Sequence, residues 1–267
     1  MFFNMKKIVF SLTLVLASVS FVSAQSSVKG MNAQGITGVI LTPTARVGWE
    51  KSDFGLDFTY SMMSRNDQAH IPAVTLSLYR KAEIALAYDV ENTDDDNGYS
   101  NVLLGGKYQL YNEGGTSLAV GGNFETVTGD RYDDFDNDKK NSSSIYLVTT
   151  YGGDFFKLPA VTTMLFGWQV QRAGEVTSNL NYSMGFELGL FPETFQNYVY
   201  WISDFSNYSY AVYQDKISEN RGIFNTGVRI DPLKSSEYKF VINLLGTDLM
   251  DEDQRGIMLN ATFGMSF

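Results

Sequence analysis

The chain has 267 residues, no cysteine, 30 acidic against 20 basic residues, and one histidine, His70. That acidic excess argues against nucleic acid as a partner, because phosphate recognition runs on lysine and arginine. Without cysteine there is no disulfide framework, and with a single histidine there is no cysteine–histidine zinc site.

"MFFNMKK" opens the chain as a short cationic head, followed by "IVFSLTLVLASVSFV", an apolar run of 15 residues closing on "VSA". This predicts a secretory signal peptide over residues 1–24, cleaved after Ala24. The run is short of the roughly 20 residues a spanning helix needs. Cleavage removes Lys6 and Lys7 and no acid, leaving 18 basic against 30 acidic residues and a formal charge of −12. No later stretch resembles a transmembrane helix, so membrane insertion is predicted only as a closed β-barrel.

Residues 25–52 carry "GITGVILTPTARV". Pro43 has no N–H for a ladder and restricts Thr42 to extended geometry, so "LTPTA" is predicted as a turn or an edge. The segment is predicted to tuck into a lumen or lie across the periplasmic mouth rather than add a strand.

From residue 53 the apolar residues recur at every second position, the period of a strand with one greasy face. The first series is Phe54, Leu56, Phe58, Tyr60, Met62, then Val74, Leu76, Leu78, then Ile84, Leu86, Tyr88, Val90. Val102, Leu104, Tyr108, Leu110 follow, then Leu118, Val120, Phe124, then Ile145, Leu147, Tyr151, then Met164, Phe166, Trp168, Val170. The longest series runs Leu180, Tyr182, Met184, Phe186, Leu188, Leu190; "NYVYWISDF" is a strand of uncertain phase. Phe224, Val228, Ile230, then Tyr238, Phe240, Ile242, Leu244, and a terminal strand complete a predicted count of twelve. Many run to about ten residues, the length that crosses a bilayer when tilted.

Connectors after odd-numbered strands read as long: "SRNDQAH", "NTDDDNGY", "GDRYDDFDNDKKNS", "RAGEVTS", "SNYSYAVYQDKISEN" and "TDLMDEDQR". Those after even-numbered strands, such as "RKA", "NEGG" and "DPLKSSE", are mostly shorter. Long loops on one side and short turns on the other predict an up-and-down outer-membrane barrel spanning residues 53–267, with both termini in the periplasm.

Charges fall opposite the apolar residues, where lipid would not penalise them by about 2–4 kcal/mol each. The predicted lumen lining is Asp57, Asp89, Lys107, Glu125, Gln169, Glu187, Arg229 and Lys239; Glu83, Glu91 and Asp231 share that phase. Glycines at 55, 105, 121, 167, 185, 189 and 227 would leave space there. Two arrangements remain open: a narrow polar pore, or ion pairs in which Lys107, Arg229 and Lys239 neutralise carboxylates and close the passage. The final "LNATFGMSF" alternates to its last residue, predicting a strand that closes the barrel on the first. Phe263, Met265 and Phe267 there resemble the carboxy-terminal signal read by the bacterial barrel-assembly machinery.

Over residues 35–125, "GITGVILTPTARV", "FGLDFTYS", "VTLSLYRKAEIALAYDV" and "LLGGKYQLYNEGG" resemble the opening of the YjbH-like family of outer-membrane proteins. Gly38, Thr42, Pro43, Thr44, Ala45 and Arg46 match its Gly-rich lead and "TPTAR" turn. The resemblance implies an outer-membrane barrel associated with exopolysaccharide production or export, with no catalytic residue to transfer.

His70, in "NDQAHIP", is placed on the first external loop near Asp67, with no nucleophile assignable beside it. Asp134, Asp136 and Asp138 alternate like the start of a calcium loop, but Lys139 and Ile145 stand where an EF-hand needs glycine and glutamate. Asp94–Asp96 and Asp251–Asp253 could bridge divalent cations to anionic glycolipid; the plainer reading is a solvated acidic surface. The expectation is an all-β, non-enzymatic outer-membrane barrel of a diderm bacterium, without cofactor. Outer-membrane lipid and the assembly machinery are its partners, and its role is a channel or export component for surface polysaccharide or another polar solute. The rival readings are a closed-lumen structural or adhesin-like surface protein, and a rim enzyme using His70.

Overall fold

The computed structural model describes residues 30–64, 68–92, 99–128, 141–173, 175–195, 197–209, 222–233, 235, 237–251 and 255–267. The signal peptide, residues 25–29, Asp67, Asp94–Asp96, Asp134, Asp136, Asp138, Glu252 and Asp253 lie outside the described residues, as does the side chain of Glu91.

Twelve strands form one closed antiparallel barrel in chain order. They are β1 (Phe54–Ser64), β2 (Gln68–Leu78), β3 (Ala82–Asn92), β4 (Tyr99–Glu113), β5 (Thr116–Thr128) and β6 (Asn141–Phe155). The ring continues through β7 (Leu158–Ala173), β8 (Glu175–Gly189), β9 (Val199–Ser206), β10 (Ile223–Ile230), β11 (Tyr238–Thr247) and β12 (Gly256–Ser266), with one helical turn, α1 (Pro192–Phe195), between β8 and β9. Each strand pairs with its sequence neighbour, and β12 closes on β1 from Gly55 opposite Ser266 to Ser64 opposite Ile257. No edge is left, which is how a sheet satisfies its backbone in lipid.

The period-two pattern decides which side faces out. Phe58, Leu86, Leu104, Phe166, Leu180 and Leu244 are among a belt of large apolar side chains left exposed on the outside. Their strand neighbours Asp57, Ala85, Ala87, Leu103, Leu165, Val241 and Asn243 are buried inside. An apolar belt of this extent on a soluble surface would be an association site; around a closed barrel it is the hydrocarbon contact of a transmembrane barrel.

Strand lengths depart from the expected ten. β4, β6 and β8 each have 15 residues and β7 has 16, while β9 and β10 have eight. Two predicted long loops also shrink. Ser64 and Gln68–His70 belong to the β1–β2 ladder, so His70 is a strand residue opposite Met62, not a loop residue. Ala173 pairs with Glu175, so "RAGEVTS" is mostly ladder. In both places the polar residues continue the alternation past the apolar belt, and backbone pairing does not require apolar side chains. At the other end β2–β3, β4–β5 and β6–β7 turn tightly, with positive φ at Tyr79 and Arg80, Gly114 and Gly115, and Phe156 and Lys157. This turn end also holds the start of β1 and the end of β12; the opposite end is the loop end.

Candidate functional site

Residues 30–49 run through the barrel lumen. Met31, Ala33, Ile36, Val39, Ile40, Leu41, Ala45, Val47 and Trp49 are all buried there. The segment folds as a tight hairpin, with Gly38 bridged to Pro43 and Met31 to Thr37. Asn32 braces it, donating to the Leu41 carbonyl and accepting from the amides of Gln34 and Ile36. With only 20 residues the hairpin cannot satisfy its own backbone, so the barrel wall supplies partners.

Near the turn end those partners are charged. Lys107 donates to the carbonyls of Thr37 and Thr44, both at 2.9 Å, and pairs with Glu83 at 3.0 Å. Glu83 in turn accepts from the Thr37 amide and hydroxyl and from the Gly48 amide. Lys239 pairs with Asp57 at 2.9 Å, and Asp57 also accepts from the Trp49 indole. Arg229 pairs with Glu187 at 2.6 Å, reaches Asn243, and donates to the carbonyls of Gly38 and Val39. These ions are fully or nearly fully buried; burial of this kind is tolerated only when paired and hydrogen-bonded.

The hairpin tip meets a different wall. The Asp204 Oδ2 accepts from three successive amides, Ile40 at 3.3 Å, Leu41 at 2.6 Å and Thr42 at 2.9 Å. Its other oxygen accepts from Asn225 at 2.8 Å. Around this carboxylate, Ala33, Val39, Ile40 and Leu41 join a buried apolar cluster with Met63, Ala69, Ile71, Ile223, Leu245 and Met258.

The wall of β4–β8 completes the plug's seat. Gln109 donates to the Ala45 carbonyl, the Ala45 amide to Thr150, Thr163 to the Pro43 carbonyl, and Arg46 to the Gly115 carbonyl. Inward glycines make room: a Cβ on Gly55 would run into the Trp49 ring, and one on Gly121 into the Tyr146 ring. Beside the plug remains a cavity of about 30 Å³ lined by Gln34, Asn123, Glu125, Gln169, Asn181 and Tyr208, among others. A water needs at least ~10–15 Å³, so this space admits a water or two and no larger solute. Tyr208, past the end of β9, shares a hydrogen bond with Ser183 at 2.9 Å, and burial holds its phenol above its ordinary pKa and therefore protonated.

All eight residues read as lumen-lining face inward and are buried. Asp57, Lys107, Glu187, Arg229 and Lys239 gather around the plug, whereas Asp89, Glu125 and Gln169 line the wall nearer the loop end. Of the two open arrangements, the cations are paired. The turn motif is itself plug: Gly38, Thr42, Pro43, Thr44, Ala45 and Arg46 each contribute a backbone or side-chain contact to the wall. Sequence reasoning gave Glu83 no role and passed over Asp204, which lies in the strand whose phase was uncertain because Tyr200 and Ile202 are apolar yet inward. Phe263 and Phe267 are exposed, Met265 is half-buried, and the Phe267 amide donates to the Phe54 carbonyl. His70 lies on the outward side of β2 with its Nδ1 2.7 Å from the Tyr60 hydroxyl. Among the described residues no group of three or more histidine or acidic side chains is placed to hold a metal.

No family model matches the chain, and no curated protein matches its sequence. Among solved structures it is similar to the NanC porin, at 8% identity and a TM-score of 0.51, over 79% of this chain and 100% of that one. The translocator domain of the autotransporter NalP from Neisseria meningitidis gives 8% identity and a TM-score of 0.48, over 81% of this chain and 89% of that one. The KdgM porin in complex with disordered oligogalacturonate gives 9% and 0.46, over 80% and 99%. At such identities the likeness is one of fold: the chain has the closed all-β architecture of an outer-membrane barrel.

Proposed function

We propose that this protein is a gated outer-membrane channel or export component, in which residues 30–49 are the gate. On this reading the turn end faces the periplasm and the loop end the exterior of a diderm cell. The cargo is surface polysaccharide or another polar solute, as the YjbH-like resemblance of residues 35–125 implies. Phe263, Met265 and Phe267 serve the assembly machinery, and the apolar belt faces lipid.

One observation carries the reading. The plug is joined to the wall by hydrogen bonds between polar groups that water could replace, and the wall behind it is lined by amides, hydroxyls and carboxylates. A barrel serving only as a scaffold could fill its interior with apolar side chains at less desolvation cost. Removing the plug from this one leaves a wettable passage.

The closed-lumen reading has its own support in the three buried ion pairs and the residual cavity of about 30 Å³. A disulfide separates the two. A Cβ on Gly185 would stand 3.3 Å from the Val39 Cβ, close to the ~3.5–4.5 Å of a disulfide, and the chain has no other cysteine to interfere. Full-length protein carrying Val39→Cys and Gly185→Cys should show planar-bilayer current when reduced and lose it when oxidised. Absence of current in both states would sink the gated channel in favour of the closed barrel.

A further inference from the structure

We infer that Asp204 and the apolar wall beside it form a binding site for an ammonium with an apolar body, an effector that opens the gate by displacing residues 39–42; the inference rests on the movable plug of the reading above. The acids gripping the plug near the turn end each have a cation: Glu83 has Lys107, Asp57 has Lys239 and Glu187 has Arg229. Asp204 is as deeply buried, at 2% exposure, yet its partners among the described residues are all neutral. Arg229, four residues along β10 from Asn225, is committed to Glu187.

The wall fixes one oxygen of this carboxylate and offers the other. The Asp248 amide donates to the Asn225 Oδ1 at 2.9 Å, and the Asn225 Nδ2 donates to the Asp204 Oδ1 at 2.8 Å. That relay leaves the Asp204 Oδ2 for whatever occupies the lumen, which in the closed state is the row of amides from Ile40 to Thr42. Amides bring hydrogen bonds but no net charge, so they offset only part of the cost of burying an ion. An ammonium brings both.

Beside the carboxylate the wall is apolar. Met63, Met258 and Leu245 stand opposite one another on β1, β12 and β11 and are all buried, a row about 10 Å across at the ~4.8 Å spacing of strands. Gly227 and then Ile202 continue it across β10 and β9, and Ile202 lies two residues from Asp204. The two methionines are flexible and polarizable, which suits a wall that must fit more than one occupant. An apolar surface with a few placed polar groups is the make-up of a small-molecule site. The plug tip now fills it as a ligand would, with Val39, Ile40 and Leu41 in the apolar cluster and its N–H groups on the carboxylate. A ligand that binds the wall only when the tip is absent shifts the gate toward open.

The test is planar-bilayer recording of the full chain with hexylammonium chloride, against methylammonium chloride, which lacks the apolar body, and 1-hexanol, which lacks the charge. Hexylammonium should raise the opening frequency at a half-maximal concentration about tenfold or more below either control, the worth of one added charge pair in a partly screened site or of a few buried methylenes. In Asp204→Asn the advantage over hexanol should fall to about twofold or less, a change that mere loosening of the tip would not produce. A second readout needs no current: hexylammonium should speed labelling of a Leu41→Cys chain by a thiol reagent. Equal responses to the three compounds, a preference for hexylammonium that survives Asp204→Asn, or current and labelling that hexylammonium leaves unmoved each overturn the site and leave the channel standing. Faster labelling without current in any protein keeps the site and overturns the channel. Neither labelling nor current overturns both.

Discussion

The two halves of the lumen hold the same plug by different physics. Toward the turn end, Lys107, Lys239 and Arg229 grip it through buried ion pairs and carbonyl contacts. Toward the loop end the grip is one carboxylate on three amides, set in an apolar cluster. Removing one member of a buried ion pair strands the other at a cost of about 3–5 kcal/mol. Losing a buried acceptor costs about 1–3 kcal/mol. The turn-end half is therefore an anchor and the loop-end half a latch, so the tip should release first while the segment stays tethered near β1.

The largest effect should come from breaking the anchor. Lys107→Met leaves Glu83 buried without its cation and should destabilise the barrel by about 3–5 kcal/mol, read as a lower unfolding temperature in detergent. The double variant with Glu83→Gln should recover part of the loss. If the single variant unfolds at the parent's temperature, the anchor is not one.

Asp204→Ala acts on the latch and should cost less, about 1–3 kcal/mol, and its effect should be local. A cysteine at Leu41 should become reactive toward a thiol reagent in that background and stay protected in the parent. One at Val47, nearer the anchor, should stay protected in both. Equal labelling at the two positions would show that the plug moves as one body and would erase the difference between the halves.

Gly55→Ala probes the anchor from its apolar side. Its Cβ would overlap the Trp49 ring, and overpacking of this sort costs about 1–3 kcal/mol. The displaced indole should leave Asp57 and show as a red shift in tryptophan fluorescence. An unshifted spectrum would mean that the ring has room the packing does not show.

The barrel was legible because its code is local. Alternation at Phe54–Met62 or Leu180–Leu190 reports which side each residue faces, and a barrel in lipid punishes exceptions. The inward set followed from that phase without any knowledge of what the residues touch. What they touch was not legible. Glu83 and Lys107 are brought together by strand register, but their partners in the plug, Thr37 for both, Gly48 for Glu83 and Thr44 for Lys107, lie in a segment with no repeating pattern. Asp204 was hidden for a related reason: with Tyr200 and Ile202 packing inward against the plug, β9 is apolar on both faces, and period-two reading has no phase to find. A lumen filled by protein writes over the signal that an empty one would leave. Loop lengths failed at β1–β2 and β7–β8 because ladders there continue through polar residues that alternation cannot distinguish from loop.

The smallest expected effect lies outside both halves, at the β6–β7 turn. Phe156 and Lys157 have φ of 49° and 67°, a conformation that costs a residue with a Cβ roughly 1–2 kcal/mol. The β4–β5 turn reaches similar geometry with Gly114 and Gly115. Phe156 has a reason to stay: its ring packs on Phe155, which packs on Phe186, in the aromatic fringe of the apolar belt. Lys157 has no such packing partner among the described residues, so Lys157→Gly should raise stability by up to about 1 kcal/mol, while Phe156→Gly should gain less or lose. Plug protection, measured at the Leu41 cysteine, should be unchanged by either. A turn substitution that loosened the latch would mean that strain at the membrane edge reaches the tip through the wall, and the anchor would then be a lever.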